Sequence, residues 1–369
     1  MNTNIKQRFV LGGINMISIS LCMIVKDEEK TIERCLSCVK DIVDEIIIVD
    51  TGSTDKTKEI VSEFTNKIYD FEWVDDFSAA RNFSFSKATK DYILWLDADD
   101  IIMPDEQQKL IRLKQTMSSD IDVVLMRYHV GEDKDGKPIC SFPRERLLKR
   151  SKNFIWHDFI HEYLVLKGNI INVDIGITHK STHGLISRNL NIFEKKLAEG
   201  YTFSDRNLFY YARELFYNKR YKEAKEYYIK FLNTENGLTS NYIDACLDLS
   251  YCYQRVSDKK NQLRTLLRSL EYASPRAEIC CRIAYLYKED SLYERAIEWF
   301  ELATRLKKPN GNTTSVIHDF WDYIPFMELS ICNFKLGRYE AAKYYNEQAG
   351  IYKPKDKTYL HNKELLKNC

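Results

Sequence analysis

The sequence lacks a long apolar segment and a strong imbalance of charge. No stretch approaches the roughly 18 consecutive apolar residues of a membrane-spanning helix. The 55 basic and 54 acidic residues give a formal net charge of +1, so no global positive field indicates nucleic acid as a partner. With 44% apolar and 30% charged residues, the 369-residue chain has the composition of a globular protein and the length of two domains.

Paired metal-binding cysteine motifs and a glycine-rich phosphate loop are also missing. The ten cysteines are scattered, and the CxxC of Cys35 and Cys38 has no second CxxC or histidine pair at zinc-finger spacing. We interpret these two cysteines as positions on one helix. The first 20 residues lack the basic region and uninterrupted apolar run of a signal peptide. Together these absences predict a cytoplasmic protein with reduced thiols and without a membrane span.

Up to about residue 185, short apolar runs alternate with amphipathic segments. The apolar runs predict strands, and the segments between them predict helices. This alternation predicts an α/β fold with a mostly parallel sheet covered on both faces. The expected strands are 17–25, 45–49, 68–71, 92–96, 123–130, 146–150, 163–166 and 170–177, with a hairpin turn at 133–137. The expected helices are 27–40, a helix starting near Thr54 or Asp55, and 77–88.

From about residue 190 the expected strands stop and helical segments repeat. Similar short stretches begin at Arg220, Leu292 and Arg338, each opening a second helix with large residues on one face. These stretches resemble tetratricopeptide repeats in four degenerate copies, interrupted around 308–315. A plain helical bundle is the alternative. The second helices share an apolar triplet at offsets 0, 4 and 7: Ala224, Tyr228, Phe231; Leu266, Leu270, Ala273; Ala296, Phe300, Ala303; and in part Ala342, Ala349.

Acidic or turn-forming clusters follow three of the expected strands, at 26–28, 50–55 and 97–100. Ligands of open parallel sheets collect beyond the carboxyl ends of the strands. The DxD pair of Asp97 and Asp99 follows a buried strand, and hard divalent cations such as Mg²⁺ or Mn²⁺ prefer carboxylate oxygens and can bridge a diphosphate. These residues therefore predict a metal-assisted phosphate site at this edge of the sheet.

Four motifs in fixed order resemble glycosyltransferase family 2: SLCMIVKDEEKTIERCL, EIIIVDTGSTDKT, FSAARNFSFSKAT and DYILWLDADD. They cover about residues 17–105. The resemblance implies a GT-A fold, inversion at the anomeric carbon, and a UDP-sugar donor with bound Mn²⁺ or Mg²⁺. With the repeats, it divides the chain into an extension (1–16), a GT-A domain (17–187) and a tetratricopeptide-like domain (188–369), and it suggests bacterial peptide glycosyltransferases as similar proteins.

The resemblance also assigns residues to the donor. Asp27-Glu28 replaces the Asn-Glu that is common in the family, and Thr51 stands where many members have a second aspartate. Capping is the alternative role for Asp50 and Asp55, and a solvated helix face is the alternative for Arg81. The implied donor-binding residues are Met23, Val25 and Glu28 near the nucleotide, Asp50 at the nucleoside, Arg81 and Asn82 at the diphosphate, and Asp97 and Ala98 on the ribose side, with Asp99 as a metal ligand.

Inversion requires a base that takes the acceptor proton, and a carboxylate is the usual one. In the segment 154–162, Glu162 is the first candidate and Asp158 the second, while His161 is expected to line the pocket. Glu162 has the alternative role of orienting a neighbour or holding the acceptor. In GT-A enzymes a late histidine often completes the metal shell: His179 fits this place best and His183 is the runner-up, with an ordinary surface histidine as the alternative for each.

The function that follows is transfer of a sugar from a UDP-sugar to a peptide or protein, because stacked helix pairs suit an extended chain or a homodimer. A surface glycan or small acceptor is an alternative. An alternative of another class is a scaffold that binds nucleotide without catalysis, although Asp97 and Asp99 are both present. The lack of QxxRW argues against a processive polysaccharide synthase, and the lack of a glycine-rich phosphate loop argues against a nucleotidyltransferase.

Overall fold

The computed structural model describes residues 16–180, 187–308 and 316–367. They form two compact units. One contains the described parts of 1–128 and 144–182, and the other contains those of 129–143 and 183–369. The predicted α/β part followed by helical pairs is confirmed. The domain boundary at 187/188 stays a prediction, and apart from Met16 the predicted N-terminal extension lies outside the described residues.

The first unit contains a large sheet whose strands follow the apolar runs of the sequence. Its helices are α1 (Ile32–Ser37), α2 (Thr57–Ser62), α3 (Phe77–Ser86) and α4 (Pro104–Thr116). The strands of the sequence up to residue 180 are β1 (Ile19–Val25), β2 (Glu45–Asp50), β3 (Ile68–Asp70), β4 (Tyr92–Trp95), β5 (Asp100–Ile101), β6 (Val123–Glu132), β7 (Pro138–Lys149), β8 (Trp156–His157), β9 (Tyr163–Leu164) and β10 (Ile170–His179).

The strand order of the sheet is β3-β2-β1-β4-β7-β6-β10-β5. The carboxyl ends of the neighbouring strands β2, β1 and β4 therefore lie side by side. Strand β1 pairs in parallel with β2 and β4, and β2 pairs in parallel with β3. Their apolar residues are buried because helices cover parallel sheets on both faces; Ile19, Leu21 and Met23 are at most 1% exposed. Strand β7 runs antiparallel to β4, and β10 runs antiparallel to β5, which places His179 opposite Asp100.

Two helices begin later than the sequence predicts, because the loops before them bind each other. Asp27 has a left-handed backbone (φ 54°) and accepts a hydrogen bond from the N–H of Thr54 at 2.7 Å. The N–H of Asp27 donates to Ser53 Oγ at 3.0 Å. Helix α1 therefore begins at Ile32. Helix α2 begins at Thr57 with Lys56 as its N-cap, two residues after Asp55, whose carboxylate accepts the N–H of Thr57 at 2.9 Å.

The second unit is built mainly of helices packed in consecutive pairs. The pairs α6–α7, α8–α9, α10–α11 and α13–α14 pack most extensively. Its elements are α5 (Arg188–Ala198), α6 (Asp205–Tyr217), α7 (Tyr221–Leu232), α8 (Thr239–Arg255), α9 (Lys259–Arg268), α10 (Ala277–Glu289), α11 (Tyr293–Arg305), β11 (Val316–Ile317), α12 (His318–Trp321), α13 (Tyr323–Lys335), α14 (Tyr339–Tyr352) and α15 (Lys357–Leu366).

The shared apolar triplet lies in the core of this unit in most of the pairs. Its members on α7 and α11 are at most 1% exposed, and Ala342 and Ala349 on α14 are fully buried. On α9 the triplet is interrupted. The helix ends at Arg268 and a 3₁₀ turn, Ser269–Glu271, follows, so Leu270 is 41% exposed. The expectation for Leu270 is therefore wrong, because the chain has left the helical path before that residue.

A short strand interrupts the helical unit, against the expectation that strands stop near residue 190. Strand β11 pairs with the hairpin arm of β7, with Val316 opposite Ser141 and Ile317 opposite Cys140. Residues 129–143, the β6–β7 hairpin, belong to the same unit as the helices. The sequence does not predict β11, because a strand of two residues is too short to show a periodic pattern. It is visible only in its backbone pairing with a segment distant in sequence. No helix among the described residues is long and apolar enough to cross a membrane.

Candidate active site

A tight turn follows β4 where the parallel strands end. The N–H of Asp97 donates to the carboxylate of Asp100 at 3.0 Å, and the N–H of Asp100 donates to the carbonyl of Asp97 at 3.0 Å. This turn buries Asp100 completely, and Ala98 is buried with it. The side chains of Asp97 and Asp99 keep 34% and 12% of their surface exposed. Of the aspartates in this turn, Asp97 and Asp99 therefore have the accessible carboxylates.

Arg81 of α3 connects the turn to the segment after β8. Asp76 caps the helix by accepting the N–H of Ala79 at 3.0 Å. The guanidinium of Arg81 donates to Asp97 at 2.7 Å and also to Glu162. At 7% exposure Arg81 is not on a solvated helix face, so that alternative is wrong. It is a buried cation between two carboxylates.

Two aromatic rings complete the surroundings of Arg81. Its guanidinium carbon lies 4.7 Å from the ring centroid of Trp95 and 5.2 Å from that of Trp156, within the range of cation–π attraction. Burial by itself would raise the pKa of Asp97, but the guanidiniums of Arg81 and Arg146 outweigh it and hold that pKa well below its ordinary value. Asp97 therefore stays ionised across the physiological range.

Asp99, Asp100 and His179 converge beside this cluster. The Nδ1 atom of His179 lies 3.2 Å from Asp99 Oδ1 and 3.6 Å from Asp100 Oδ1, and the hydroxyl of Tyr128 lies 2.9 Å from the same nitrogen. Hydrogen bonds to Asp100 and Asp99 raise the pKa of His179 to about 10. The pairing of β10 with β5, which places His179 opposite Asp100, produces this arrangement.

The donor set of this group fits a hard divalent cation. One oxygen each of Asp99 and Asp100 and one nitrogen of His179 lie within 4.8 Å of one another. Carboxylate oxygens suit Mg²⁺ and Mn²⁺, and the imidazole nitrogen adds a third ligand. Asp99 and His179 are predicted metal ligands that the fold brings together. The other predicted histidine, His183, lies outside the described residues.

The predicted nucleoside-binding residues lie at the ends of β1 and β2. Asp50 is 2% exposed, and its carboxylate accepts the N–H groups of Gly52 and Ser53 at 3.2 and 3.1 Å. This turn is formed by the side chain after a strand, so Asp50 is not a helix cap. Glu28, just beyond β1, accepts a hydrogen bond from the Thr31 hydroxyl and is partly exposed.

The side chains of Met23 and Val25 are buried, and that of Asn82 is hydrogen-bonded within the protein. Met23 and Val25 are buried in β1, so only their backbone could face a nucleotide. Asn82 donates to the carbonyl of Trp156 at 2.9 Å and accepts the N–H of Trp156 at 2.8 Å. This pair of bonds fixes β8 to α3 and thereby positions the segment that follows β8.

That following segment carries the predicted base candidates in a strained backbone. Asp158 and His161 have left-handed conformations, φ 76° and 54°, which are uncommon for residues with a side chain. The carbonyl of Phe159, between them, accepts the N–H of Phe77 at 2.9 Å, which holds the loop against the start of α3. Glu162 is 9% exposed and pairs with Arg81. The fold therefore brings all three predicted residues to the Arg81 cluster or its neighbouring loop.

Two family models match separate parts of the chain. Residues 20–172 match the family described as glycosyl transferase family 2, and residues 277–310 match the one described as tetratricopeptide repeat. The chain carries a family 2 glycosyltransferase domain. The whole site described above, apart from His179, lies within the matched residues of that domain, and the tetratricopeptide match covers α10 and α11.

Two curated relatives are similar to parts of this chain. The glycosyltransferase SunS of Bacillus subtilis (strain 168) is 30% identical over 245 residues, which are 62% of this chain and 57% of SunS. A TPR repeat-containing protein of Synechococcus elongatus is 53% identical over 88 residues, 24% of this chain and 22% of that protein. The chain thus spans 22 to 57% of the length of these relatives.

Among solved structures, glucosyl-3-phosphoglycerate synthase from Mycobacterium tuberculosis, in complex with Mn²⁺ and UDP-glucose, aligns with a TM-score of 0.35 and 16% identity. The alignment covers 51% of this chain and 81% of that one.

The glycosyltransferase domain contains site residues that the sequence did not indicate. Arg146 is 1% exposed, and its Nη1 lies 3.0 Å from Asp100 Oδ2. Arg144, two residues earlier on β7, is 29% exposed, and its guanidinium carbon lies 5.1 Å from the Trp95 ring. Tyr128 contacts Asp100 from β6. The alternation of Arg144 and Arg146 is a one-face signal in a strand, but the sequence did not show that this face meets Trp95.

Proposed function

We propose that this chain is a metal-dependent glycosyltransferase that moves a sugar from a UDP-sugar to a peptide or protein acceptor, with inversion at the anomeric carbon. The observation that carries the proposal is the 3.2 Å approach of Asp99 to His179 at the end of the sheet, beside the ionised Asp97. The family 2 match of residues 20–172 supports it. The carboxylates of Asp99 and Asp100 and the imidazole of His179 fit Mn²⁺ or Mg²⁺.

In this proposal the diphosphate binds between the cation and the arginine-rich face of β7. The cation supplies charge stabilisation for the leaving nucleoside diphosphate. Arg81 is buried and already pairs with Asp97 and Glu162, so we assign it to holding those carboxylates in place. Arg144 is partly exposed and lies over Trp95. We therefore assign direct phosphate contact to Arg144, since a guanidinium forms strong charge-assisted hydrogen bonds to phosphate.

The nucleoside end of the proposed site lies where β1 and β2 end. This edge is bordered by the backbone of Met23 and Val25, the Glu28 carboxylate and the Asp50 turn. In the proposal, Asp97 and Ala98 lie on the ribose side. Strands β1, β2 and β4 are parallel, so their carboxyl ends face the same edge. A ligand across this edge follows the general rule for open α/β sheets.

For the base, the geometry favours Asp158 over Glu162. Proton uptake by Glu162 would break its ion pair with the buried Arg81, and removing one partner from a buried pair is costly. Asp158 is partly exposed, and its strained backbone is fixed by the neighbouring Phe77–Phe159 hydrogen bond. We assign Asp158 as the base, Glu162 as the partner that positions Arg81, and His161 as part of the pocket wall.

The helical unit supplies the proposed acceptor surface. The first helices of two consecutive pairs place partly exposed charges and aromatic rings close together: Arg213 of α6 lies 3.6 Å from Asp244 and 3.8 Å from Asp248 of α8, and it donates to the Tyr217 hydroxyl at 3.0 Å. Such mixed polar and aromatic faces suit polypeptide chains. The tetratricopeptide match supports a protein-binding role.

The test begins with the donor. The full chain is incubated with each UDP-sugar and GDP-sugar plus Mn²⁺, and the released nucleotide is measured. We expect slow hydrolysis of a UDP-sugar that stops with chelator and with Asp99→Asn. The matched control is Asp105→Asn, an exposed aspartate at the start of α4. Hydrolysis that survives both chelator and Asp99→Asn would refute metal dependence, and no hydrolysis of any donor would favour the nucleotide-binding scaffold.

The acceptor assignment needs its own experiment. Asp158→Asn and Glu162→Gln are compared in transfer to a candidate peptide and in donor binding. We expect Asp158→Asn to lower kcat for transfer while donor KM stays unchanged, because only the base is lost. The reverse result, with Glu162→Gln lowering kcat alone, would return the role of base to Glu162.

A further inference from the structure

Asp100 differs from Asp99 in how its oxygens are used. Its Oδ2 lies 3.0 Å from Arg146 Nη1 and accepts the backbone N–H of Asp97 at 3.0 Å, while its Oδ1 accepts the Tyr128 hydroxyl at 2.7 Å. Asp100 is 0% exposed. Both oxygens of Asp100 are therefore engaged inside the protein, whereas the Asp99 side chain is 12% exposed.

Arg146 is fixed beside Asp100 by two aromatic rings. Its guanidinium carbon lies 3.8 Å from the ring centroid of Trp95 and 4.4 Å from that of Tyr128. Its Nη1 also donates to the Trp95 carbonyl at 3.1 Å, while Nε and Nη2 are buried without a hydrogen-bond partner among the described residues. A buried cation held between two rings requires a partner of opposite charge, and the adjacent Asp100 supplies it.

Tyr128 connects Asp100 to His179. Its hydroxyl donates to Asp100 Oδ1 at 2.7 Å and lies 2.9 Å from His179 Nδ1. The same ring nitrogen lies 3.2 Å from Asp99 Oδ1. Metal-binding histidines are commonly oriented by hydrogen bonds to groups that do not themselves bind the metal.

We propose that Arg146, Asp100 and Tyr128 form a positioning relay that holds the His179 ring beside Asp99, so that His179 and Asp99 bind the cation together. The proposal rests on the metal dependence in the proposed function. It makes Tyr128, a residue on a different strand from Asp99 and His179, a determinant of metal affinity. Asp100, Arg146 and Tyr128 are at most 9% exposed, so we assign them to positioning His179 and not to contact with the donor or acceptor.

The test uses Tyr128→Phe, which removes one oxygen and keeps the ring against Arg146. Mn²⁺ binding to the full chain is measured from the electron paramagnetic resonance signal of the free ion, without any sugar substrate. We expect binding about 10- to 100-fold weaker, the usual effect of removing an outer-shell partner. The matched control is Tyr92→Phe: Tyr92 is also buried, and its hydroxyl donates to the Ile121 carbonyl at 2.7 Å. It should bind Mn²⁺ like the wild type.

Thermal unfolding of both variants separates the relay from general stability. Similar unfolding midpoints with weakened Mn²⁺ binding in Tyr128→Phe alone support the proposal. Equal Mn²⁺ affinity in the two variants overturns it. If Tyr128→Phe does not fold, Arg146→Lys takes its place, because it keeps the charge but not the stacked plane, and wild-type affinity in that variant overturns the relay. Loss of binding in Asp99→Asn with wild-type affinity in Tyr128→Phe refutes the relay only, whereas a wild type that binds no Mn²⁺ refutes the metal-dependent function as well.

Discussion

Replacing Arg81 by methionine is the most informative perturbation of this fold. The side chain is 7% exposed and bonds Asp97 and Glu162 while lying against two tryptophan rings. Methionine fills much of the same volume but carries no charge. The variant would therefore bury Glu162 and half-bury Asp97 with their common cation removed. We expect the α/β unit to remain folded at neutral pH but to lose much of its stability.

The magnitude follows from the burial of the pair. Breaking a buried ion pair by removing one partner costs about 3–5 kcal/mol. Asp97 keeps a third of its side chain exposed, which lowers its share, so we expect a total near 3 kcal/mol at the lower end of that range. With a urea dependence of about 2 kcal/mol per molar, such a loss moves the unfolding midpoint by about 1.5 M.

The loss should depend on pH in a defined direction. A carboxyl whose folded-state pKa is lowered, as that of Asp97 is, stabilises the fold above its unfolded pKa of about 3.9, and that stabilisation disappears as the pH falls below it. Arg81→Met removes the largest of the guanidinium effects that lower the pKa of Asp97. The difference between wild type and variant should therefore be largest near neutral pH and should shrink as the pH falls below about 4.

The assay is urea unfolding followed by tryptophan fluorescence, which reports on Arg81 through Trp95 and Trp156. Arg112→Met is the matched control, because Arg112 is exposed on α4 and such surface changes usually alter stability by less than about 0.5 kcal/mol. A second-site change, Glu162→Gln, should restore part of the stability lost in Arg81→Met. A variant within about 1 kcal/mol of the wild type at pH 7, at the low end of single-residue effects, would refute the buried-cation reasoning.

Three further changes test other parts of the chain. Asp99→Asn should abolish Mn²⁺ binding with an unchanged unfolding midpoint, measured by calorimetry. Burial raises the pKa of Asp248 to about 6 despite the nearby Arg213, so its ionisation lowers the stability of the fold as the pH rises from about 4 to 6. Asp248→Asn should therefore stabilise the helical unit at pH 7.5 by about 1–2 kcal/mol. The same change should have no effect below pH ~4. Gly350→Ala would place a Cβ 2.4 Å from the Tyr359 ring, so its unfolding free energy should fall by about 1–3 kcal/mol, whereas an unchanged value would mean that the α14–α15 contact is loose.

Local patterns in the sequence determined much of the architecture. The apolar runs at Ile17–Val25 and Glu45–Val49 predicted buried parallel strands, because such strands need apolar residues on both faces. The spacing of Ala296, Phe300 and Ala303 predicted a helix face, and all three are buried. The cluster of aspartates after β4 predicted a metal site, because the position of an acidic cluster after a strand can be read directly from the sequence.

The tertiary structure alone decided which side chains work together. Arg81 and Glu162 are 81 residues apart, and no local pattern pairs them. His179 meets Asp100 only because β10 pairs with β5. The same holds for Arg146, whose burial beside Asp100 depends on β7 lying next to β4. Periodicity fixes which face of an element is apolar, but the identity of the facing element follows from strand order, and strand order is set by long-range packing.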